Sequence, residues 1–312
     1  MQRAFDAASG IPNRVLAPLH SPQLALMLAA LFWSGNFIAG RVLRGQVDPV
    51  MLNLLRWVGA FLIFLPFVWP GLRAHHGALR REWRLIVALG ATGIAAFQTL
   101  NYAALQTTTA THALLVLALA PIAILIGGTI SGIDHPNRRQ MIGMGTSVIG
   151  AGFVITHGDL AVVYIGGLNR GDLIMLFNVA IWTVYSLLLR RRPADLPPDV
   201  TLAGSMLAGI ALLLPFGLAT NATKLAALTA PWVLFGIGYM ALFASVLAFI
   251  FWSLGVSRLG PTRSGQFINL MPVFGAGLAF LFLGEIPGRA EILGAALVLA
   301  GIATVESGRV RN

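Results

Sequence analysis

Long apolar runs separated by short polar segments dominate the pattern of residues along the chain. Ten of these runs approach the roughly 20 residues that an α-helix needs to cross about 30 Å of hydrocarbon. The predicted membrane spans are residues 24–43, 49–69, 84–105, 109–130, 139–156, 171–190, 199–219, 231–254, 262–283 and 290–306. The pattern therefore predicts an all-α integral membrane protein with ten transmembrane helices.

The two halves of the chain repeat part of their sequence. Residues 111–150 match residues 262–301 at a constant offset. The paired positions are Thr111 with Thr262, Pro121 with Pro272, Pro136 with Pro287, Arg138 with Arg289, Gly143 with Gly294 and Gly150 with Gly301. Because each half has an odd number of spans, the halves must enter the membrane with opposite orientation. The repeat predicts two inverted five-helix repeats, an arrangement typical of secondary transporters with a central substrate site.

The span pattern also predicts the boundaries of the segments. The first five-helix repeat covers 21–156 and the second covers 171–306. A glycine-rich external linker, 157–170, joins them. Residues 1–20 lack a continuous apolar core, so we expect an N-terminal tail rather than a cleavable signal. Residues 307–312 form a C-terminal tail.

The composition is that of a protein whose main solvent is lipid. Hydrophobic residues make up 57% of the chain and charged residues 10%, with a mean hydropathy of +0.81. Soluble domains usually carry about 25% charged residues. The net charge of +10 comes from arginines in short loops, which argues against nucleic acid as a partner. The chain has no cysteine, which excludes disulfides and thiolate chemistry, and we expect neither a metal nor a cofactor.

The positions of the arginines predict the orientation in the membrane. Arg80 and Arg81 follow the second span, and Arg190, Arg191 and Arg192 follow the sixth. The loops that follow odd-numbered spans carry fewer basic residues. Because basic loops stay in the cytoplasm, both termini should be cytoplasmic. The prediction is a multi-pass protein of the cell inner membrane.

Several short motifs lie at positions that are typical of one transporter superfamily. They are Trp33-Ser34-Gly35-Asn36-Phe37 in the first span, Asp48-Pro49 and Arg56 in the second, and a proline followed by a terminal acid in each half, Pro121 with Asp134 and Pro272 with Glu285. These residues resemble paired EamA modules of the drug/metabolite transporter superfamily, over nearly the whole chain. The resemblance implies a ten-helix transporter that exports or exchanges small metabolites. Within the superfamily the chain is most similar to the aromatic amino acid exporter group called YddG.

Isolated polar and aromatic residues mark one face of five predicted spans, because such residues usually turn away from lipid. The predicted substrate-binding residues are Trp33, Asn36, Phe37, Gln98, Asn101, Tyr102, Asn178, Trp182, Tyr185, Tyr239, Phe243, Gln266 and Asn269. Aromatic rings and neutral amides together suit a zwitterion with an apolar or aromatic side chain. The alternative for each amide is a hydrogen bond between helices, without any ligand.

Three further residues lie within the spans. Arg56 could hold a substrate carboxylate, extend its head group toward the membrane surface, or bind nearby carbonyl groups. Pro121 and Pro272 each remove a helical hydrogen bond near the middle of a span. We interpret these two prolines as hinges of a gate, and static kinks are the alternative.

Absent residues narrow the function. No aspartate or glutamate lies deep in a predicted span, which favours facilitated diffusion or exchange over proton coupling. No phosphate-binding loop and no catalytic motif is present, so we do not expect an enzyme. The leading prediction is an alternating-access exporter of aromatic and other neutral amino acids. The alternatives are an exporter of another small metabolite or drug-like cation, and a polytopic membrane enzyme. The oligomeric state stays open.

Overall fold

The computed structural model describes residues 21–43, 45–108, 110–133, 136–159, 161, 170–219, 230–283 and 286–307. Within these residues all regular secondary structure is helical. The predicted N-terminal tail, most of the predicted linker, Asp134 and Glu285 lie outside the described residues.

We number the main helices α1 to α10 in the order in which they follow one another along the chain. They are α1 (Pro22–Val42), α2 (Pro49–Ala74), α3 (Trp83–Ala104), α4 (Ala110–Leu117 and Ala120–Ile130), α5 (Arg138–Thr156), α6 (Arg170–Arg190), α7 (Pro198–Leu218), α8 (Pro231–Leu259), α9 (Pro261–Gly265, Gln266–Asn269 and Leu270–Leu283) and α10 (Arg289–Ser307). A short additional helix, His76–Arg81, lies between α2 and α3.

Seven helices among the described residues are long and apolar enough to cross a membrane, namely α1, α2, α3, α6, α7, α8 and α10. The other three predicted spans differ from them in a specific way. Two of them, α4 and α9, are interrupted before a proline, and α5 carries many glycine and polar residues along its 19-residue length. The protein is therefore an all-helical, multi-pass membrane protein, and the count of ten spans remains a prediction.

Local sequence explains where helices begin. The side chain of Asp48 accepts hydrogen bonds from the backbone N–H groups of Val50 and Met51, and proline occupies the first position of α2. Asn137 and Gln140 form a reciprocal capping box at the start of α5. Such caps satisfy backbone donors that have no partner within the helix.

Large apolar side chains cover the outside of the helix bundle. Ile130, Phe235 and Leu281 are 82%, 79% and 72% exposed. An aqueous environment would penalise so much exposed apolar surface, whereas hydrocarbon accepts it. The outer surface is thus suited to lipid.

Close contact between α5 and α10 depends on glycine in both helices. A Cβ atom on Gly143 would lie 2.6 Å from the carbonyl oxygen of Gly301, and one on Gly150 would lie 2.6 Å from that of Gly294. The residue numbers rise along α5 as they fall along the facing side of α10, so the two helices run antiparallel. Only residues without a side chain allow backbones to approach so closely.

Candidate functional site

A small cavity lies between α1, α3, α4, α6 and α9. The residues that line it are Trp33, Asn36, Phe37, Phe97, Gln98, Asn101, Leu117, Trp182, Ile268 and Met271. The space open to the centre of a water molecule is about 20 Å³. That volume holds roughly one water. The walls must therefore move before a ligand of amino acid size can enter.

Aromatic rings form one wall of the cavity. Trp182 lies edge to face with Trp33, with ring centroids 5.3 Å apart, and its ring lies 4.5 Å from that of Phe97. Trp252 supports Trp182 from behind at 5.1 Å. The indole nitrogen of Trp182 is buried and has no hydrogen-bond partner among the described residues. This wall offers apolar ring faces together with one free N–H donor.

Neutral amides form the polar wall. Asn36, Gln98 and Asn101 are buried and contact the same cavity. The side-chain oxygens of Gln98 and Asn101 have no hydrogen-bond partner among the described residues. Buried polar atoms normally have partners, so unpaired ones at a cavity indicate a place where a polar ligand or water binds.

Arg56 lies directly behind the polar wall and is fully buried. Its Nη1 donates to Asn36 Oδ1 (3.3 Å) and to the Tyr102 hydroxyl (3.1 Å). Its Nε donates to Ser245 Oγ, and its Nη2 donates to the carbonyl oxygen of Ala244 at 2.8 Å. The structure therefore shows Arg56 bound to a carbonyl group and to neutral side chains within the helix bundle, which is the last of the three roles that the sequence allowed.

A π-helical stretch of α8, Met240–Leu247, creates the carbonyl acceptor for Arg56. The backbone N–H of Ala248 donates to Phe243 O, five residues earlier, instead of to Ala244 O. The freed Ala244 oxygen then accepts hydrogen bonds from Trp33 Nε1 at 3.0 Å and from Arg56. Such single π turns frequently lie at functional sites.

The corresponding π-helical stretch of α3, Gly90–Ala96, is held by a second polar residue of α2. Asn53 Nδ2 lies 3.0 Å from the carbonyl oxygen of Ile94 and 3.0 Å from Thr99 Oγ1. Asn53 and Arg56 lie one helical turn apart on α2. Helix α2 thus binds the irregular segments of both α3 and α8.

The two predicted hinge prolines lie beside the cavity. Because proline has no N–H, it cannot donate to the carbonyl four residues earlier. For Pro121 that carbonyl belongs to Leu117, and for Pro272 it belongs to Ile268; both residues line the cavity. The interruptions of α4 and α9 coincide with these positions. Motion about the two prolines remains a prediction.

Of the 13 predicted substrate-binding residues, the structure brings six to the cavity and places seven elsewhere. Those at the cavity are Trp33, Asn36, Phe37, Gln98, Asn101 and Trp182. Substrate binding by any of the 13 remains a prediction.

Three of the seven others form hydrogen bonds between helices. Tyr102 binds Arg56 and Asn36, Tyr239 donates to the carbonyl of Phe32, and Asn269 donates to Ser147. The remaining four do not line the cavity. Tyr185 packs against Trp182, and Phe243 packs against Phe32 and Tyr239. Asn178 and Gln266 are fully buried, and their amides have no described hydrogen-bond partner.

Four apolar residues of the lining were not predicted, namely Phe97, Leu117, Ile268 and Met271. Leu117 and Ile268 could have been found from the sequence, since each lies four residues before a mid-span proline. Phe97 directly follows the π-helical stretch of α3. The wider π turn changes the direction in which the following side chains point. Regular helical periodicity does not reveal that change.

Ion pairs join helices near the ends of the bundle. Glu306 of α10 accepts hydrogen bonds from Arg263 of α9 (2.8 Å) and from Gln23 of α1 (2.6 Å). Arg81 Nη2 lies 2.7 Å from Asp195 Oδ2, and this hydrogen bond lowers the pKa of the Asp195 carboxyl. None of these charged residues lines the cavity.

The cavity lining carries no ionised side chain. Among the described residues, no cluster of histidine and acidic side chains could hold a metal ion. Rings and amides line the cavity, and a cation lies behind its polar wall. A multi-pass membrane protein with such an internal cavity fits the general class of transporters.

The sequence as a whole identifies the family. Residues 20–156 and 169–306 match the EamA-like transporter family. The two matches cover most of the chain, and the protein belongs to this family.

Related proteins match along nearly their full length. "Uncharacterized transporter YyaM" of Bacillus subtilis (strain 168) is 29% identical, over 92% of this chain and 94% of that protein. "Probable terminal-alkyne amino-acid exporter" of Streptantibioticus cattleyicolor is 27% identical, over 89% of this chain and 91% of that protein. A solved crystal structure, 23% identical with a TM-score of 0.68, covers 91% of this chain and 96% of the other chain, and shows the same fold.

Proposed function

We propose that this protein exports aromatic and other neutral amino acids across the cell inner membrane by alternating access. The observation that carries the proposal is the division of the cavity into two walls. Trp33, Phe97 and Trp182 supply ring surface, and Gln98 and Asn101 supply amide groups whose oxygens are unpaired among the described residues. Rings bury an apolar side chain, while amides meet the charged ends of a zwitterion.

One relative supports amino acids as the substrate class. The Streptantibioticus cattleyicolor protein is described as a probable terminal-alkyne amino-acid exporter, and it aligns over 89% of this chain. The 27% identity between the two chains supports the class of solute rather than a particular amino acid.

Alternating access in this proposal depends on ten spans arranged as two inverted repeats with both termini in the cytoplasm. The antiparallel pairing of Gly143 with Gly301 supports this arrangement. The π-helical stretches Gly90–Ala96 and Met240–Leu247 support it too, because they lie at nearly the offset that relates Pro121 to Pro272. Inverted repeats allow one half to open inward where the other opens outward.

Counterflow in proteoliposomes tests the proposed function. Purified protein is reconstituted into vesicles loaded with unlabelled phenylalanine, and uptake of labelled phenylalanine is measured without a pH gradient or membrane potential. We expect uptake well above that of protein-free vesicles, because exchange needs no external driving force. Uptake no faster than in protein-free vesicles, for phenylalanine, tryptophan, leucine and threonine alike, would reject amino acid export.

The same vesicles test the absence of proton coupling. Imposing a pH gradient should leave the final distribution of labelled amino acid unchanged when no carboxylate relay operates in the spans. Uphill accumulation that follows the pH gradient and disappears with a proton ionophore would replace facilitated exchange by proton-coupled transport.

A further inference from the structure

We propose that Arg56 selects substrates that carry a carboxylate group, and that this carboxylate binds at the Asn36 side of the cavity. This inference deepens the proposed function and rests on it for the location of the substrate. Arg56 does not line the cavity itself. It acts as a fixed positive charge one side chain behind the wall.

The charge of Arg56 has no negative partner in the described part of the chain. Its four hydrogen bonds go to a serine hydroxyl, a tyrosine hydroxyl, an asparagine oxygen and a backbone carbonyl, all of them neutral. The guanidinium carbon also lies 5.3 Å from the ring centroid of Trp57, which offsets only part of a full charge. An arginine side chain keeps its charge in proteins.

A buried cation without a counterion is unfavourable, and chains normally pair such groups. Helices α1, α2, α3 and α8 all contribute to the surroundings of Arg56, yet none supplies a described carboxylate within salt-bridge distance. The missing negative charge is what a substrate carboxylate would bring when it enters the cavity. Binding of an anion would therefore be favoured over binding of a cation.

Asn36 transmits this preference to the cavity. Its Oδ1 accepts hydrogen bonds from Arg56 and from the Tyr102 hydroxyl, which fixes the orientation of the amide. Because its oxygen is occupied on the Arg56 side, its N–H groups are the part of the amide that can serve the cavity that Asn36 lines. Trp182 also lines the cavity, and its buried indole N–H, which has no hydrogen-bond partner among the described residues, can serve as a second donor. Two neutral donors in front of a buried cation form a site for a carboxylate.

The opposite end of a zwitterion has its own acceptors. The amide oxygens of Gln98 and Asn101 are unpaired, and the Leu117 carbonyl cannot accept a helical hydrogen bond from Pro121. These neutral oxygens suit an ammonium group without adding a charge that would cancel Arg56. The site therefore requires the carboxylate more strongly than it requires the ammonium group.

Calorimetric binding to purified full-length protein tests the inference with three probes of similar shape. Phenylalanine carries both charged groups, phenylpropionate only the carboxylate, and phenylethylamine only the ammonium group. We expect the wild-type protein to bind phenylalanine and phenylpropionate at least about tenfold more tightly than phenylethylamine, because Arg56 contacts the lining residue Asn36 and is buried in a low-dielectric site. Equal or tighter binding of phenylethylamine would overturn the inference.

Variants separate the charge from a structural role of Arg56. Asn36→Asp has nearly the same shape and places a carboxylate against Arg56, so it should abolish the tenfold preference for carboxylate probes. Arg56→Gln should do the same, while Arg56→Lys should retain most of the preference. A purely structural role would weaken all three probes together and leave their ratio unchanged, which would refute the inference. Should Arg56→Gln fail to fold, the preference of the wild-type protein and its retention in Arg56→Lys still decide.

The outcomes also separate this inference from amino acid export. Tight binding of phenylpropionate together with no counterflow of any amino acid would reject the proposed function and leave carboxylate selection standing. Counterflow of phenylalanine, together with equally tight binding of phenylalanine and phenylethylamine, would support amino acid export and reject carboxylate selection. Binding of neither phenylalanine nor phenylpropionate would overturn both.

Discussion

Trp33 of α1 and Trp182 of α6 meet edge to face at the cavity, with ring centroids 5.3 Å apart and ring planes at 88°. The two residues belong to different halves of the chain, so their contact closes the aromatic wall only when the halves pack together. Both indoles are almost completely buried. We expect the opening of the cavity to a substrate to disturb this pair.

Replacing Trp182 by phenylalanine should weaken substrate binding while preserving most of the packing. We expect a several-fold higher KM for phenylalanine counterflow with a small change in thermal stability, because the smaller ring keeps an apolar surface but loses the indole N–H. Trp252→Phe is the matched control, since Trp252 belongs to the same aromatic cluster but does not line the cavity. Equal KM changes in the two variants would contradict the proposal that Trp182 binds substrate. Trp182→Ala is less informative, because deletion of a buried tryptophan costs about 3 to 5 kcal/mol of stability.

A methyl group at Gly143 should destabilise the protein. Its Cβ would lie 2.6 Å from the carbonyl oxygen of Gly301, so α5 and α10 would have to separate. We expect Gly143→Ala to lower the free energy of unfolding by about 1 to 3 kcal/mol. Gly145→Ala, two residues along the same helix, meets no atom within 4 Å and should be neutral or slightly stabilising. Thermal unfolding of both variants in detergent measures the difference.

Restoring a backbone donor at the two cavity prolines should slow the gate. In Pro121→Ala and Pro272→Ala the new N–H can bind the carbonyl of Leu117 or Ile268, which would straighten and stiffen α4 or α9. We expect a slower counterflow rate and narrower distance distributions between spin labels across the cavity. Pro66→Ala in α2 is the control, because Pro66 also lies inside a helix but on its exposed side. Unchanged rates and distances in both cavity variants would identify the prolines as static kinks.

Single cysteines can test the proposed orientation without background, because the chain contains none. A cysteine at Asn169 should react with a membrane-impermeant reagent in intact cells, since the linker between the repeats is predicted to lie outside. A cysteine at Arg191 should react only after the cells are opened. The opposite labelling pattern would contradict the proposal that both termini are cytoplasmic.

The ion pair between Arg81 and Asp195 predicts a small pH dependence of stability that is confined to acidic pH. The hydrogen bond from Arg81 lowers the pKa of the Asp195 carboxyl. The contribution of such a group to stability is present above its pKa in the unfolded chain and is lost as the pH falls through its lower pKa in the folded protein. Carbon NMR titration of Asp195 should show the lowered pKa, and Arg81→Gln should move it back toward the ordinary value. An identical titration in both proteins would contradict the pairing. Because both side chains are exposed, the pair should contribute little to stability.

Hydropathy alone was sufficient for the class of protein. Apolar runs of membrane-spanning length and few charges predicted a multi-pass helical membrane protein, and the family match confirms a transporter family. This prediction succeeds because the bilayer imposes one requirement on every span, a helix with an apolar surface. Helical spacing also grouped Trp33, Asn36 and Phe37 on one face of the first span, and all three line the cavity, although substrate binding by them stays a prediction.

The neighbours of each polar face could not be predicted in the same way. Periodicity placed Gln266 and Asn269 on one face of α9, but the structure turns Asn269 toward Ser147 of α5. Helical spacing fixes which residues share a face and leaves open which helix that face meets. The same spacing grouped Tyr102 with Asn101, although the structure uses Tyr102 to bind Arg56 behind the wall.

The sequence by itself determined that the chain is helical, crosses a membrane and repeats its own pattern, because composition and period record burial in lipid. Only the tertiary structure decided the site. The π turn of α8 frees the Ala244 carbonyl, and Trp33 and Arg56 reach it from two other helices. A π turn changes the helical register by one residue without a signature in hydropathy. The position of the cation behind the cavity wall therefore depends on how α1, α2 and α8 pack.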